Sequence, residues 1–287
     1  YMLECLSLAQ KGAGYVSPNP MVGAVVVKNS KIIGKGYHKQ LGGPHAEVHA
    51  IRSAKQPVKG ATLYVNLEPC NHFGKTPPCA ELIISSGINK VVIGMKDPNP
   101  AVSGKGIARL RKAGIKVIAG VREEECRKLN ESFSKYISTG IPFVTLKIAQ
   151  TLDGKIADAS GNSKWITNEQ SRMLVHKLRS MYDAVLIGAG TVIKDNPKLT
   201  VRMVKGRNPV RVIIDGKFRV PLSSEICSKP LRAKTILYIE ERYARRKQTK
   251  TDALLRRGIE VIRLKGKRSE EHTSELQSPY VISYAVF

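Results

Sequence analysis

The 287-residue chain is short of acidic residues, cysteine and aromatics, and each shortage narrows what it can be. Asp and Glu number 23 against 48 Lys and Arg, which leaves a net charge of +25. Such an excess raises nucleic acid as a partner, because clustered cations neutralise phosphates. Here the basic groups, at 109–112, 242–247 and 256–257, are short and separated, and the aromatic residues do not interleave with them as a base-stacking surface requires. Solvated surface, or a basic cleft for a small phosphorylated substrate, accounts for the charge better than RNA or DNA. The five cysteines are odd in number and irregular in spacing, which argues against a disulfide framework and leaves thiolates for a metal. No apolar run reaches about eighteen residues. The basic-then-apolar pattern of a secretory signal is also missing, so the expected location is cytoplasmic, with no membrane partner. Homo-oligomer formation stays open.

What is present alternates between helical and strand periodicity. A helix through Met2, Cys5, Leu6 and Ala9 is already under way at Tyr1, so the N-terminus reads as clipped. It is followed by strands at 21–28 and 31–37, a helix at 46–55, a strand at 62–67, a helix at 80–86, a strand at 90–93, a helix at 104–113, a strand at 116–119 and a helix at 123–138. Gly140-Ile141-Pro142 punctuates the pattern and sets a boundary near residue 140. Strands at 143–148, 184–187, 210–214, 235–239 and 260–264 follow, with helical segments at 168–181 and 254–258. Two α/β domains are therefore expected, at 1–140 and 141–267. Residues 268–278 and 282–287 read as translated sequencing-adapter sequence, so 268–287 is expected to be an adapter-derived tail and native sequence to stop near Lys267.

The strongest chemical pattern joins Pro44-His45-Ala46-Glu47 to Glu68-Pro69-Cys70 and Cys79. One imidazole and two thiolates bind zinc tetrahedrally with the fourth position open, and the thiolates balance the metal's charge. Zinc makes water nucleophilic near neutral pH, which suits attack on a ring carbon bearing an amino group. Glu47 is placed to carry protons between water, ring nitrogen and leaving ammonia. Taken singly, these residues also suit a helix start, a first-turn acid and small core side chains. Their joint occurrence, with proline before both His45 and Cys70, favours the zinc-deaminase site. His45 and His49 are spaced as in a metalloprotease helix, but that motif places glutamate directly after the first histidine, where Ala46 stands. A deaminase acting on a nucleic-acid base is the alternative, since zinc chemistry alone does not set the substrate.

Between Cys70 and Cys79 stand eight residues, 71–78, where a C-x-x-C deaminase has two. With Ser17-Pro18-Asn19-Pro20-Met21-Val22-Gly23, Gly42-Gly43-Pro44-His45-Ala46-Glu47, the segment from Glu68 to Cys79, and Lys96-Asp97-Pro98-Asn99-Pro100, the chain resembles the bifunctional riboflavin biosynthesis deaminase-reductases. The resemblance implies a cytidine-deaminase-like three-layer domain acting on diaminohydroxyphosphoribosylaminopyrimidine, with zinc at His45, Cys70 and Cys79 and Glu47 as the proton shuttle. Asn19 suits either a ring contact or a turn. His72 and Lys75 suit either a phosphate contact or solvated loop.

Residues 145–149, 151–157, 161–167 and 188–202 are similar to the reductase half of the same family. That similarity implies a dihydrofolate-reductase-like domain, incomplete here, that reduces the ribosyl product with NADPH. Ala149, Trp165, Thr191 and Asp195 would line the cofactor; Ser163, Arg179, Leu199 and Arg202 would face the substrate. Gly188-Ala189-Gly190 after an apolar strand fits backbone approach to phosphate or an ordinary tight turn. Trp165, the sole tryptophan, also suits a core position. If native sequence stops near Lys267, the reductase is expected to be impaired and the deaminase spared.

Overall fold

The computed structural model describes residues 1–72, 77–160, 166–228 and 233–265, together with the backbone of 285–286. The chain divides into two compact units, Tyr1–Ile141 and Pro142–Phe287. Ser163, Trp165 and Lys75, and all of the tail except 285–286, lie outside the described residues.

The first unit runs α1 (Met2–Gln10), β1 (Gly23–Lys28), β2 (Lys31–Tyr37), α2 (Ala46–Arg52), β3 (Thr62–Leu67), α3 (Cys79–Ser85), β4 (Lys90–Met95), α4 (Lys105–Lys112), β5 (Lys116–Ala119), α5 (Glu123–Leu129) and α6 (Glu131–Thr139). The sheet order is β2-β1-β3-β4-β5. β1 is antiparallel to both of its neighbours, and β3, β4 and β5 are parallel. The valine run of β1 is buried along its length, as a central strand covered on both faces should be.

Two glycines show how closely those faces are covered. A Cβ at Gly23 would lie 2.1 Å from the Cys5 carbonyl oxygen of α1, and one at Gly36 would lie 2.4 Å from the Ala50 amide nitrogen of α2. Gly36 pairs with Ala24, the neighbour of Gly23, so the two glycines point to opposite faces and α1 and α2 sandwich the sheet. This gives the three layers that the resemblance implies.

The helix expected at 123–138 is two helices. Asn130 leaves helical geometry (φ −107°, ψ 24°) because its buried amide turns to Met21, accepting from the Met21 N–H at 2.8 Å and donating to the Met21 carbonyl at 3.0 Å. The helix expected at 46–55 stops at Arg52, where the Ser53 hydroxyl accepts from the Lys35 N–H and donates to the Lys35 carbonyl.

The second unit contains β6 (Leu146–Lys147), α7 (Glu169–Met181), β7 (Ala184–Gly188), α8 (Ala189–Asp195), β8 (Val210–Ile214), β9 (Thr235–Glu240), α9 (Glu241–Arg246), α10 (Gln248–Arg256), β10 (Glu260–Leu264) and β11 (Ala285–Val286). Its strands pair in the order β10-β9-β8-β7-β11-β6, all parallel. Asn168 caps α7 by accepting from the Ser171 N–H. The strand expected at 143–148 shrinks to two residues, and Gly188-Ala189-Gly190 is a strand end running straight into a helix. Among the described residues, no helix is long and apolar enough to cross a membrane.

Candidate active site

The parallel strands β3 and β4 end at one edge of the first sheet, where α/β proteins gather ligand-binding loops. β3 delivers Glu68, Pro69 and Cys70; β4 delivers Asp97 and Asn99. His45 is the extended residue before α2 (φ −74°, ψ 167°), which turns its ring to the same edge and puts Glu47 in the first helical turn. Cys79 opens α3, and its N–H donates to the Cys70 sulfur at 3.3 Å.

Chain segments far apart in sequence thus bring three donors together. His45 Nδ1 lies 3.3 Å from the Cys79 sulfur and 3.6 Å from the Cys70 sulfur, and all three ligand atoms lie within 4.8 Å of one another. The set offers one imidazole and two sulfurs at a spacing that a tetrahedral zinc can bridge, leaving the fourth position for a ligand from the cavity. A hydrogen bond from the Cys79 thiol, followed by the His45 contact, holds the Cys70 thiol well below the usual thiol range. The same shared proton, with burial, pushes Cys79 up, and the Cys70 contact raises His45. Glu47 is buried, and desolvation pushes its carboxyl up to about 7.

His45, Cys70 and Glu47 line a cavity of about 270 Å³ that also takes in Asn19, His38, His72, Asp97, Asn99 and three side chains of α6. Asn19, read from sequence as either a turn or a contact residue, faces this cavity. His38 sets its direction: the His38 Nδ1–H donates to the Pro44 carbonyl at 3.1 Å, so Nε2 accepts from the Asn19 amide at 3.1 Å. That arrangement needs a neutral imidazole, and burial lowers the His38 pKa accordingly. His49 is half-buried on α2 and is not part of the metal cluster.

Glu68 had no sequence role beyond its place in the motif. Its buried carboxylate accepts from the N–H groups of Asp97 (3.2 Å), Gly104 (2.9 Å) and Ile107 (3.1 Å), so it ties the metal loop to the loop lining the cavity. A glutamate before Pro-Cys at a strand end is a signal that could have pointed to it. Asn130 and α6 carry no local motif, and only their spacing of apolar residues hints at a role.

In the second unit, the residues expected to face substrate come together in part. The Arg179 guanidinium donates to the Thr200 carbonyl at 3.5 Å, and the Arg202 N–H donates to His176 Nδ1 at 3.2 Å. Leu199 is buried in the apolar cluster with a left-handed backbone (φ 53°). Thr191 and Asp195 lie on α8, half-buried and exposed respectively; Ala149 is half-buried beyond β6. Nothing lies within 4 Å of where a Cβ would stand at Gly188 or Gly190, so space is open beside the start of α8.

Comparison with known proteins agrees with both halves. Residues 1–95 match the cytidine and deoxycytidylate deaminase zinc-binding region, and residues 142–270 match the RibD C-terminal domain. The riboflavin biosynthesis protein RibD of Aquifex aeolicus is 53% identical over 267 residues, covering 93% of this chain and 73% of that protein. RibD of Actinobacillus pleuropneumoniae is 47% identical, covering 83% of this chain and 63% of that protein. The crystal structure of a diaminohydroxyphosphoribosylaminopyrimidine deaminase/5-amino-6-(5-phosphoribosylamino)uracil reductase from Thermotoga maritima superposes with a TM-score of 0.88 at 48% identity, covering all of this chain and 79% of that one. Acinetobacter baumannii RibD gives a TM-score of 0.83 at 38% identity, covering all of this chain and 79% of that one. With two matched domains in the RibD order and this level of identity, the chain belongs to the RibD family of riboflavin biosynthesis proteins.

Proposed function

We propose that the first unit is a cytoplasmic zinc-dependent deaminase of diaminohydroxyphosphoribosylaminopyrimidine, and that the second reduces the ribosyl product with NADPH. The convergence of His45, Cys70 and Cys79 beside buried Glu47 carries the first part. The three side chains would hold the zinc, which supplies Lewis acidity that makes water nucleophilic near neutral pH. Glu47 takes one proton from the attacking water and passes it to the ring nitrogen, then takes the second from the new hydroxyl and passes it to the departing amino group. The C–O bond forms with the first transfer and the C–N bond breaks with the second, so ammonia leaves and a ring carbonyl remains. Asn19, held by His38, and the Asp97–Asn99 loop, held by Glu68, present hydrogen-bonding groups to the ring edge. The nucleic-acid alternative draws no support from the cavity, whose lining among the described residues contains no Lys or Arg.

In the second unit, NADPH supplies hydride, and the chain supplies position and charge. The open space at Gly188 and Gly190 suits close approach of that cofactor. Ala149, Thr191 and Asp195 are assigned to its side and Arg179, Leu199 and Arg202 to the substrate's; Trp165 and Ser163 keep the cofactor and substrate assignments of the family resemblance. Arginine suits the substrate phosphate through its fork of donors. The deciding assay follows ammonia release from the pyrimidine substrate by the purified zinc-loaded chain, with and without NADPH, while NADPH oxidation is monitored in parallel. Ammonia release independent of NADPH is expected; its absence in a zinc-replete protein would overturn the deaminase reading.

A further inference from the structure

A flat heteroaromatic ring is read on its edge by hydrogen bonds and on its face by an aromatic or apolar surface. The polar side chains of the cavity account for the edge. The face is supplied from a part of the chain that no motif marks. α6 has nine residues, none of them buried in the protein's own core. Phe133, Tyr136 and Ile137 stand at i, i+3 and i+4, one face of the helix, and all three line the cavity that contains the metal cluster. Among the described residues they bring the only phenyl rings to it.

The placement of this face is fixed from within the site. Asn130, 1% exposed, ends α5 and starts α6, and both ends of its amide are bonded to the backbone of Met21. Met21 follows the Asn19-Pro20 segment that lines the same cavity. The Met21 carbonyl also accepts from Asn66 Nδ2 at 3.0 Å, and Asn66 Oδ1 accepts from the Gly23 N–H at 2.8 Å, so the segment is clamped to β3 on its other side. A half-buried apolar stripe that, among the described residues, belongs to none of the apolar core clusters, yet is anchored by a buried amide to the ligand-lining loop, is built to meet a ligand.

We propose that Phe133, Tyr136 and Ile137 form the specificity wall of the deaminase cavity, against which the pyrimidine ring of the substrate rests, and that Asn130 is the positioning residue that sets this wall. The substrate named here rests on the deaminase reading above. The wall contributes affinity and orientation, whereas bond-making belongs to Glu47 and the metal cluster.

The test uses the full zinc-loaded chain. Phe133→Ala and Tyr136→Ala are expected to raise KM for ammonia release about tenfold or more, the scale of a lost ring-stacking contact, with kcat within about threefold. Tyr136→Phe should restore the wild-type KM, and zinc content should not change. Asn130→Ala should raise KM in the same way, with Asn130→Asp, which keeps the acceptor for the Met21 N–H, intermediate. A fall in melting temperature with KM unchanged would assign Asn130 to folding alone and overturn its positioning role. Calorimetric titration of the substrate into Glu47→Gln and into Glu47→Gln/Tyr136→Ala separates this proposal from the reading beneath it. If the wild-type chain releases no ammonia but the double variant binds at least about tenfold more weakly, the deaminase reading fails and the wall stands. If wild type turns over while Tyr136→Ala and Phe133→Ala keep the wild-type KM and affinity, the wall is overturned.

Discussion

Glu68 in the first unit and Arg211 in the second do the same work with opposite charge. Glu68, 3% exposed, collects three backbone N–H groups from the 97–107 segment. Arg211, 2% exposed, donates to the carbonyls of Lys198, Ile226 and Ala233 and to the Thr235 hydroxyl. Among the described residues, each is satisfied by backbone or hydroxyl dipoles rather than by a group of opposite charge. Each also fixes an irregular segment that carries proposed site residues: Asp97 and Asn99 in one unit, Leu199 to Arg202 in the other. A loop has no ladder of its own to satisfy its amides and carbonyls, so one multivalent buried ion takes that place. The sign follows from which backbone groups the loop turns inward. The amides of Asp97, Gly104 and Ile107 call for an anion, and the carbonyls of Lys198, Ile226 and Ala233 call for a cation.

The comparison is broken most severely by changes that silence one unit and leave the other intact. Cys70→Ala or Cys79→Ala is expected to abolish both zinc retention and ammonia release, because two thiolates complete the ligand set. Hydrogen exchange in β7, β8 and β9 should not move. Full deamination by a zinc-free Cys70→Ala protein would remove the metal from the mechanism. Glu47→Gln should retain zinc and lose about two orders of magnitude or more in kcat, the scale of a positioned proton carrier. Loss of metal together with activity would make Glu47 a structural residue instead.

Removing the two ions themselves sharpens the comparison. Arg211→Met strips the partner from three carbonyls at once and should cost the second unit about 3–5 kcal/mol. Glu68→Gln keeps one acceptor oxygen and should cost the first unit about 1–3 kcal/mol. Denaturant-dependent hydrogen exchange, read separately over β3–β4 and β8–β9, gives both values on the full chain. Equal and small losses would mean that water satisfies these groups and that the loops are not held by the ions.

The same contrast explains what was legible in the sequence. Metal ligation restricts residue type so tightly that His45, Cys70 and Cys79 stand out by identity and spacing, and the structure brings them within 4.8 Å. Strand and helix periodicity likewise fixed most of the first sheet, since β1, β3 and β4 are apolar runs of core length. Three features were hidden. Asn130 breaks a continuous helical pattern through a bond to Met21, 109 residues away. α8 begins on a glycine-flanked alanine that reads equally as a turn. The α6 stripe has helical spacing whether it meets core or ligand. Each depends on a long-range partner that local propensity does not contain. Arg211 was invisible for a related reason: an arginine inside an apolar strand reads as a surface position, and only the three inward carbonyls make it a core residue.

The smallest expected effect concerns pH and belongs to the second unit alone. His176 on α7 is buried beneath the 199–202 segment, and its Nδ1 accepts the Arg202 N–H. Burial, reinforced by the nearby Arg179 and Arg202 charges, lowers its pKa to about 4. An unfolded histidine protonates near 6.5, so between about 6.5 and 4 the unfolded chain binds a proton that the folded unit refuses. Stability associated with His176 is therefore complete above about 6.5 and is lost as pH falls towards 4. The basic neighbours are Arg179 and Arg202, and Lys147 on β6, whose own pKa is lowered by burial and then by Arg179; no carboxylate is among the groups shifting His176. His176→Asn supplies an acceptor oxygen for the Arg202 N–H without a titratable ring. Its second unit should match wild type near pH 7.5 and lose less protection in β7–β8 than wild type at pH 5. A wild-type second unit whose exchange protection is the same at both pH values would show that His176 does not stay neutral against the two arginines.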